Sequence, residues 1–286
     1  MSKGLVIFDS GHAKNTAGKV APDKSLYEWD FNNNMQYKLK KRCEEHGFKV
    51  CLTNPTPEKT SDIPLSTRAS KANEFYKSNG KPKTIMLSLH ANAYGEWTTA
   101  RGVEVFHASN ASQNSKNLAK YLCEQIYTDV KKLDGGFKNR GVKREDFTVI
   151  YKTITPTCLI EYGFYTNRDD LKILKNNKNE LVEATVKGVC KYFGVTYKPP
   201  VVKKPTNGTT YYRVVTNSYL DRKNAEKEVS DLKKIGVNAF LDAFKKDGKT
   251  YLRVVAGSYT SKKNAEEQLE TLKKKGYKPF IAVYKK

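Results

Sequence analysis

A repeat in the last third of the chain is the feature that most constrains its fold. The segment "YYRVVTNSYLDRKNAEKEVSDLKKIGVNAFLDAFKK" is followed, at a constant offset of 40 residues, by "YLRVVAGSYTSKKNAEEQLETLKKKGYKPFIAVYKK". Each copy reads as strand, helix and strand, and the helices end on Gly236 and Gly276. Because one copy cannot bury its own apolar face, we expect the two to form a single βαββαβ unit, with both helices on one sheet face and the other face free for binding.

The rest of the chain is long enough for one further domain. A length of 286 residues is typical of about two domains. The stretch "VTYKPPVVKKPTNGTTYY" combines three prolines with a polar tail, which favours a short semi-rigid linker. We therefore predict a first domain over residues 1–196, a linker over 197–210 and the repeat domain over 211–286.

Strand and helix patterns alternate through the first domain. Five apolar runs read as strands, namely "GLVIFDSGH", "FKVCLTN", "KTIMLSLHAN", "GVEVFHAS" and "PTCLIEYGFYTN", and a helical segment follows each of them except the third. In the first helix Phe31, Met35 and Leu39 recur at a spacing of four and share one face. The predicted fold class is α/β, a mostly parallel sheet with helices on both faces, followed by a small ferredoxin-like α+β domain.

Charge and cysteine usage narrow the kind of partner. The formal net charge of +22 indicates an acidic partner, which could be nucleic acid, an anionic membrane surface or a bacterial wall. The five cysteines are scattered without a CxxC pair, so we expect reduced thiols without a catalytic role.

No apolar stretch reaches the roughly 18–20 residues of a membrane span. The start carries no export signal, so we expect synthesis in the cytoplasm.

Four polar residues stand where chemistry is expected. His12 and His90 each close an apolar strand, Glu161 lies near the end of another, and Glu28 begins the first helix. The carboxyl ends of parallel strands meet at one edge of a sheet, where two imidazoles and a carboxylate would form a zinc site with an open position for water. Glu161 would then be the general base and acid, with a pKa raised by its apolar strand. The spacing is too long-range to be diagnostic, since there is no HExxH, and hydrogen-bonded loop histidines remain the alternative.

The remaining histidines and one glutamate receive other predictions. His46 precedes a helix-ending glycine, where a cation would interact favourably with the helix dipole. His107 ends a strand near the proposed site, and a surface role competes with substrate contact. Glu104, on the same strand, is predicted to be structural.

Several motifs carry a family resemblance over roughly residues 3–194. "FDSGHAKNTAG", Glu28, "STRASKAN", "LSLHAN", "GVEVF", "NRGVK" and "LIEYGFYTN" resemble, in order and spacing, those of the zinc-dependent N-acetylmuramoyl-L-alanine amidases called amidase type 3. The resemblance implies Zn²⁺ as cofactor, His12, Glu28 and His90 as its ligands, Glu161 as the catalytic glutamate, and the muramoyl–L-alanine amide of peptidoglycan as substrate. Ala13-Lys14 and Thr53-Asn54 depart from the family pattern and put in doubt the shape of the first loop and of the substrate groove.

The repeat resembles a SPOR domain, a module that binds the glycan strands of peptidoglycan. If Leu252 and its alternate neighbours face the helices, an outward set of aromatic and arginine side chains suits sugar stacking and anionic groups. Alternatively, the tyrosines merely cover the sheet. The candidate substrate-binding residues are Tyr211, Arg213, Tyr251 and Arg253, together with Arg140 of "NRGVK".

Two rival functions have counter-evidence in the sequence. A basic βαββαβ unit is also the architecture of an RNA-binding RRM, but the third strand, "TYLRVVAGSY", lacks the paired aromatics that stack bases, so we expect no nucleic-acid partner. A non-catalytic wall-binding protein would not need all four site residues. A composition rich in Lys and Asn favours a Gram-positive wall, reached through a membrane lesion by an endolysin or by a sporulation lytic amidase. The oligomeric state stays open.

Overall fold

The computed structural model describes residues 2–59, 61–200 and 210–285. The chain divides into two compact units, Met1–Pro200 and Val201–Lys286. Most of the predicted linker, residues 201–209, lies outside the described residues. Among the helices that are described, none is both long and apolar enough to cross a bilayer.

The first unit is built on a six-stranded sheet, and the prediction of a mostly parallel α/β fold is confirmed. Strand order is β2-β1-β3-β6-β4-β5, and every neighbouring pair is parallel except β4 with β6. The sequence patterns did not predict β5 and α4. The strands are β1 (Leu5–Ser10), β2 (Lys49–Leu52), β3 (Thr84–Asn92), β4 (Val103–His107), β5 (Asn139–Arg144) and β6 (Thr157–Phe164). The helices are α1 (Glu28–Glu45), α2 (Leu65–Ser78), α3 (Gln113–Val130), α4 (Thr148–Tyr151), α5 (Arg168–Asn176) and α6 (Lys178–Phe193).

Helices cover both faces of this sheet. Successive side chains of a strand point to opposite faces, so Val6 and Phe8 enter the cluster formed with α1, α3 and α6. Leu5 and Ile7 enter a second cluster, which contains residues of α2 and α4. All six residues of β1 are consequently buried. The rim of the sheet, where strands end, is what remains available for a site.

The second unit is a four-stranded antiparallel sheet with two helices, which confirms the predicted βαββαβ arrangement. Its strand order is β10-β7-β9-β8. Residues 40 apart occupy equivalent core positions, as with Val214 and Val254 or Leu232 and Leu272. The elements are β7 (Thr210–Tyr219), α7 (Arg222–Lys234), β8 (Phe240–Lys246), β9 (Lys249–Tyr259), α8 (Lys262–Lys274) and β10 (Phe280–Lys285).

The first residues of the predicted linker pack against the first unit. The Tyr197 ring stacks on His46 with centroids 5.6 Å apart, and its hydroxyl donates to Glu183 at 2.6 Å. His46 Nδ1 lies 2.7 Å from the Arg42 carbonyl oxygen, and His46 Nε2 accepts from the Lys198 amide at 2.9 Å. Both ring nitrogens are therefore engaged, and His46 is the C-cap of α1, as its place before a helix-ending glycine predicted.

Candidate metal and catalytic site

Three residues predicted as metal ligands meet at the rim of the first sheet. One donor atom each from His12, Glu28 and His90 lies within 4.8 Å of the other two. His12 Nε2 is 3.4 Å from one oxygen of Glu28, and His90 Nδ1 is 3.0 Å from the other. β1 and β3 are adjacent and parallel, so their carboxyl ends coincide, and α1 begins on Glu28. Two imidazoles and a carboxylate so arranged could hold a metal ion.

The loop that carries His12 has an unusual backbone held by buried amides. His12 has a φ of 64°, a left-handed conformation that is uncommon for a non-glycine residue and costs of order 1–3 kcal/mol. The Asn54 side-chain amide donates to the carbonyl oxygens of Ser10 and His12, at 3.2 and 3.1 Å. Asn32 donates to the Gly11 carbonyl at 3.1 Å. Asn54, one of the departures from the family pattern, thus helps to fix the loop that carries His12.

A second carboxylate faces the other side of the His12 ring. Asp62 Oδ2 lies 3.7 Å from His12 Nδ1, a distance for electrostatic attraction that is too long for a hydrogen bond. The same oxygen accepts a hydrogen bond from Thr16 at 2.7 Å, and Thr16 accepts one from the Ala13 amide at 3.0 Å. A carboxylate beside Nδ1 favours a proton on that nitrogen and leaves Nε2, which faces Glu28, free to bind a cation.

A buried ion pair anchors the end of β1 near this loop. The Arg68 guanidinium donates to the Asp9 carboxylate and to the Ser10 carbonyl, both at 3.1 Å. Ser88 also donates to Asp9, at 2.8 Å, and Thr53 donates to its other oxygen. Asp9 is fully buried and Arg68 nearly so. The Asp9 carboxylate is paired with Arg68 and hydrogen-bonded at both oxygens, whereas Arg68 Nε has no hydrogen-bond partner among the described residues. A paired, buried carboxylate of this kind supports the end of β1 and is not available for proton transfer.

Glu161 lies beside the three donors on the next strand. It is opposite His90 in the β3–β6 register and opposite Glu104 in the β4–β6 register. Its Oε2 is buried and has no hydrogen-bond partner among the described residues. Burial, and then the charges of Glu28 and Glu104, raise the pKa of Glu161 well above its usual value. A raised pKa favours the protonated carboxyl group and suits it to exchange of a proton with a reacting group.

Glu28 has the opposite electrostatic character. Burial alone would raise its pKa, but hydrogen bonds and charge interactions with His12 and His90 lower the pKa of Glu28 well below its usual value. Two neighbouring carboxyl groups whose pKa values are displaced in opposite directions are suited to different roles. The ionised Glu28 suits a cation ligand, whereas Glu161 suits proton transfer.

The candidate substrate residue Arg140 is engaged with Glu104. Arg140 Nε donates to Glu104 Oε2 at 2.7 Å, and its guanidinium lies 4.9 Å from the centre of the Phe164 ring. Lys143 donates to the same carboxylate, and burial of Glu104 is outweighed by these two cations, which lower its pKa. Glu104 is thus an ionised, paired neighbour of Glu161. His107 Nδ1 lies 2.9 Å from the Ala108 carbonyl oxygen.

The four candidate residues of the second unit belong to the sheet face opposite the helices, called here the outer face. Arg213 stacks on Tyr284 at 3.6 Å, and Arg253 stacks on Phe244 at 3.7 Å, measured to the ring centres. The two contacts are related by exchange of the repeats, because Arg253 is 40 residues after Arg213 and Tyr284 is 40 residues after Phe244. Aromatic pairs extend both stacks, since Tyr211 lies 6.4 Å from Tyr284 and Tyr251 lies 5.4 Å from Phe244 between ring centres.

The two stacked arginines differ in their charge partners. Arg213 makes an ion pair of 2.8 Å with Asp242. The residue 40 positions after Asp242 is Ala282, and Arg253 has no ion pair with any residue in the described part of the chain. Nε of both arginines is buried without a hydrogen-bond partner there, and Asp242 lies opposite Arg253 in the β8–β9 register although its ion pair is with Arg213. The outer face therefore has one guanidinium that makes an ion pair and one that makes none among the described residues.

Sequence reasoning missed the residues that orient the site. Asp62, Asn54 and Asn32 belong to no local motif, and each acts through a contact between segments distant in sequence. A polar residue next to a predicted strand end, such as Asn54 after "VCLT", is the one signal that indicated a position at the rim.

Comparison with known proteins places both units. The amidase type 3 family, described as N-acetylmuramoyl-L-alanine amidase, matches residues 6–191, and the SPOR domain family matches residues 208–282. An endolysin of Bacillus phage SPP1 is 28% identical over 230 residues, which are 76% of this chain and 78% of the endolysin. The protein YqiI of Bacillus subtilis is 28% identical over 66% of this chain and 84% of its own length.

A solved structure gives the same result for the fold. The N-acetylmuramoyl-L-alanine amidase from Clostridium difficile 630 superposes with a TM-score of 0.57 at 28% identity, over 66% of this chain and 96% of that protein. The family match covers well over half of the chain, in the unit that contains the rim site. The chain belongs to the N-acetylmuramoyl-L-alanine amidase family and carries a SPOR domain.

Proposed function

We propose that this amidase is zinc-dependent, with His12, Glu28 and His90 as the ligands and Glu161 as the catalytic acid and base. The observation that carries the proposal is the convergence of three donor atoms beside a carboxyl group without a partner. Two tetrahedral ligands of zinc are roughly 3.4 Å apart, because Zn–N and Zn–O bonds are about 2.0–2.2 Å. Glu28 places one oxygen 3.4 Å from His12 Nε2 and its other oxygen 3.0 Å from His90 Nδ1, so the three side chains are close enough to share one ion.

The chain's own groups supply the proton transfers. Zinc bound there would polarise the amide carbonyl and lower the pKa of a water molecule toward about 7. Glu161 accepts the proton that the attacking water loses and donates it to the nitrogen of L-alanine as the C–N bond breaks. The products are a lactyl carboxylate on the sugar and a free amine on the peptide. General acid–base catalysis of this kind contributes about 10²–10⁴-fold.

We further propose that residues 1–196 form the catalytic domain and that residues 211–286 hold the enzyme on the wall through the outer face. Tyr211 and Tyr251 offer rings for sugar stacking. Arg253, which has no ion pair among the described residues, suits a carboxylate, and hydrolysis of the amide leaves a carboxylate on each muramic acid. Arg213 contributes less, because Asp242 already neutralises it.

The proposed partner is the peptidoglycan of a Gram-positive cell, attacked during lysis. Relatives named as proteins of Bacillus subtilis and of a Bacillus phage support this choice of wall. The endolysin supports a lytic role, in which a protein made in the cytoplasm reaches the wall after the membrane is breached. The lytic role is tested by measuring lysis of cells that make the protein internally, with the membrane intact or permeabilised, and of cells to which the protein is added from outside.

The test of the reaction compares wild type, Glu161→Gln and the exposed control Glu145→Gln on purified peptidoglycan at matched zinc content. We expect new N-terminal alanine without new reducing sugar, lost by about 10²-fold or more in Glu161→Gln and retained in the control. Reducing sugar from the wild type would indicate a glycosidase and overturn the proposal. Retained activity in Glu161→Gln would remove Glu161 from its role.

A further inference from the structure

We propose that the first unit has a second carbohydrate site, at the end of its sheet opposite the zinc ligands, that binds an N-acetylated amino sugar. A concavity of about 360 Å³ lies there, beside Thr84 at the start of β3 and Pro156 just before β6. Its volume falls within the range of small-molecule sites. The identification of the sugar as part of a peptidoglycan glycan strand rests on the proposed function.

Aromatic side chains form much of the wall. Tyr76 from α2, Tyr121 from α3 and Tyr192 from α6 line the concavity, and each is partly buried. Lys191 lies 4.7 Å from the centre of the Tyr121 ring, and Lys83 lies 5.2 Å from that of Tyr192, so a cation holds each ring in place. Rings that are packed on one side and border a cavity are suited to contact with the C–H groups of a pyranose.

Hydrogen-bonding groups stand among these rings. Thr155 lines the concavity with 6% of its surface exposed, and its hydroxyl has no hydrogen-bond partner among the described residues. An unpaired buried hydroxyl costs free energy, which a ligand would recover by pairing with it. Asn114 and Asn117, on α3, line the same space, and the Asn114 amide bonds to no other described residue. Amide and hydroxyl groups are the natural partners of sugar hydroxyl and acetamido groups.

The charges of the lining exclude other ligands. Lys83 is the one charged residue among the described residues that line the concavity, and no carboxylate is present there. A metal ion would find no anionic donor, and a large anion would meet one cation that is already stacked on rings. A neutral ring with hydroxyl groups and one acetamido group matches the combination of tyrosine, amide and threonine. This pocket would let the catalytic unit bind glycan at a point remote from the scissile amide.

The test is a site-resolved titration of the full chain. Amide chemical shifts of the isotope-labelled protein are followed while a β-1,4-linked tetramer of N-acetylglucosamine is added. We expect shifts at Asn114, Asn117 and Thr155. Thr155→Val should weaken binding about fivefold, the equivalent of one hydrogen bond, and should not lower the melting temperature, because the lost hydroxyl has no partner. Thr128→Val, the same substitution at an exposed position of α3 outside the lining, is the matched control.

Two outcomes would overturn the inference. One is a titration in which shifts occur only on the outer face of the second unit. The other is equal affinity at the concavity for wild type and for Tyr121→Ala. A soluble muramoyl-peptide assay separates this inference from the proposed function, because Thr155→Val should cleave that short substrate at the wild-type rate. If the wild type cleaves the short substrate but shows no shifts at the concavity, only the second site is refuted. If the wild type does not cleave, the proposed amidase mechanism is refuted.

Discussion

The two sheets of this protein differ in where they leave room for function. Helices bury both faces of the six-stranded sheet, so chemistry is confined to its rim, where β1, β3 and β6 supply unlike residues. The four-stranded sheet has helices on one face, and its other face carries the stacked arginine and aromatic side chains. A rim site must be assembled from segments distant in sequence, whereas a face site follows the alternation of single strands.

The difference also appears in how charge is arranged. At the rim, two carboxyl groups in close proximity have pKa values displaced in opposite directions, Glu28 downward and Glu161 upward. On the outer face, two guanidinium groups in equivalent surroundings differ in having or lacking a carboxylate. The pKa values at the rim therefore depend on which side chains lie within a few ångströms. The net charge of the outer face depends on how many guanidinium groups have a carboxylate partner, which a single substitution can change.

The largest effect is expected from crowding the rim. A methyl group added at Gly11 would overlap the His90 ring, so Gly11→Ala must displace the imidazole. A displacement of about 1 Å can cost 10²-fold in rate, and we expect at least that loss together with weaker zinc binding. Gly135→Ala is the matched control, because its added methyl would meet no atom within 4 Å. Wild-type zinc affinity in Gly11→Ala would show that the rim tolerates more than this packing indicates.

A smaller effect is expected from the carboxylate behind His12. Asp62→Asn keeps the shape but removes the charge near Nδ1, and substitutions of this kind typically lower metal affinity by about 10–100-fold. Competition for zinc with a chromophoric chelator measures the change. Asp23→Asn, exposed in the loop between His12 and Glu28, should bind zinc like the wild type. Equal affinity for the two variants would assign Asp62 to loop structure alone.

The two arginines of the outer face allow a direct comparison. Arg253→Ala should weaken binding to peptide-free glycan strands by about tenfold, as expected for a charge-assisted hydrogen bond. Arg213→Ala should weaken it by about threefold or less, because Asp242 already compensates that charge. Both variants lose an equivalent stack on an aromatic ring, so each controls for the other. Cosedimentation with amidase-treated walls is the measurement, and equal losses would contradict the assigned asymmetry.

The smallest effect concerns stability without metal. The pKa of Glu161 is higher in the folded chain than its ordinary value of 4.5, so its favourable contribution is complete below that pH and is lost as pH rises through the folded value. With zinc chelated, Glu161→Gln should match the wild type near pH 4 and melt about 2–6 °C higher at pH 8. Glu145→Gln should show no such trend. A difference that is constant with pH would mean that the carboxyl group does not titrate in this way.

Patterns local in sequence predicted most of the fold. Phe31, Met35 and Leu39 are buried on one face of α1 as their spacing requires, and the 40-residue repeat forms one sheet. β5 was missed because "NRGVKR" has charged residues at half of its positions and little apolar alternation, which is possible for a partly exposed edge strand. A strand of this kind is fixed by its partner β4 more than by its own residues.

The site was predictable only as far as its strand ends. His12, His90 and Glu161 follow apolar runs, and a parallel sheet brings such ends together. The left-handed backbone of His12 and the approach of Asp62 have no signature in the sequence, because each depends on the packing of a loop against residues some 40–50 positions away. The roles of His12 and His90 as metal ligands and of Glu161 as the catalytic group stay predictions, which the zinc-binding and hydrolysis measurements test.

The second repeat has Ala282 at the position equivalent to Asp242, and this difference bears on the orientation in which the outer face would hold a glycan strand. A glycan strand has a reducing and a non-reducing end, and a surface with true two-fold symmetry would accept the strand equally well in both orientations. Duplication gave the outer face nearly this symmetry, with matching arginine stacks on either side. The ion pair made by Arg213 alone breaks it, so in the proposed complex the outer face would hold a glycan strand with one preferred polarity.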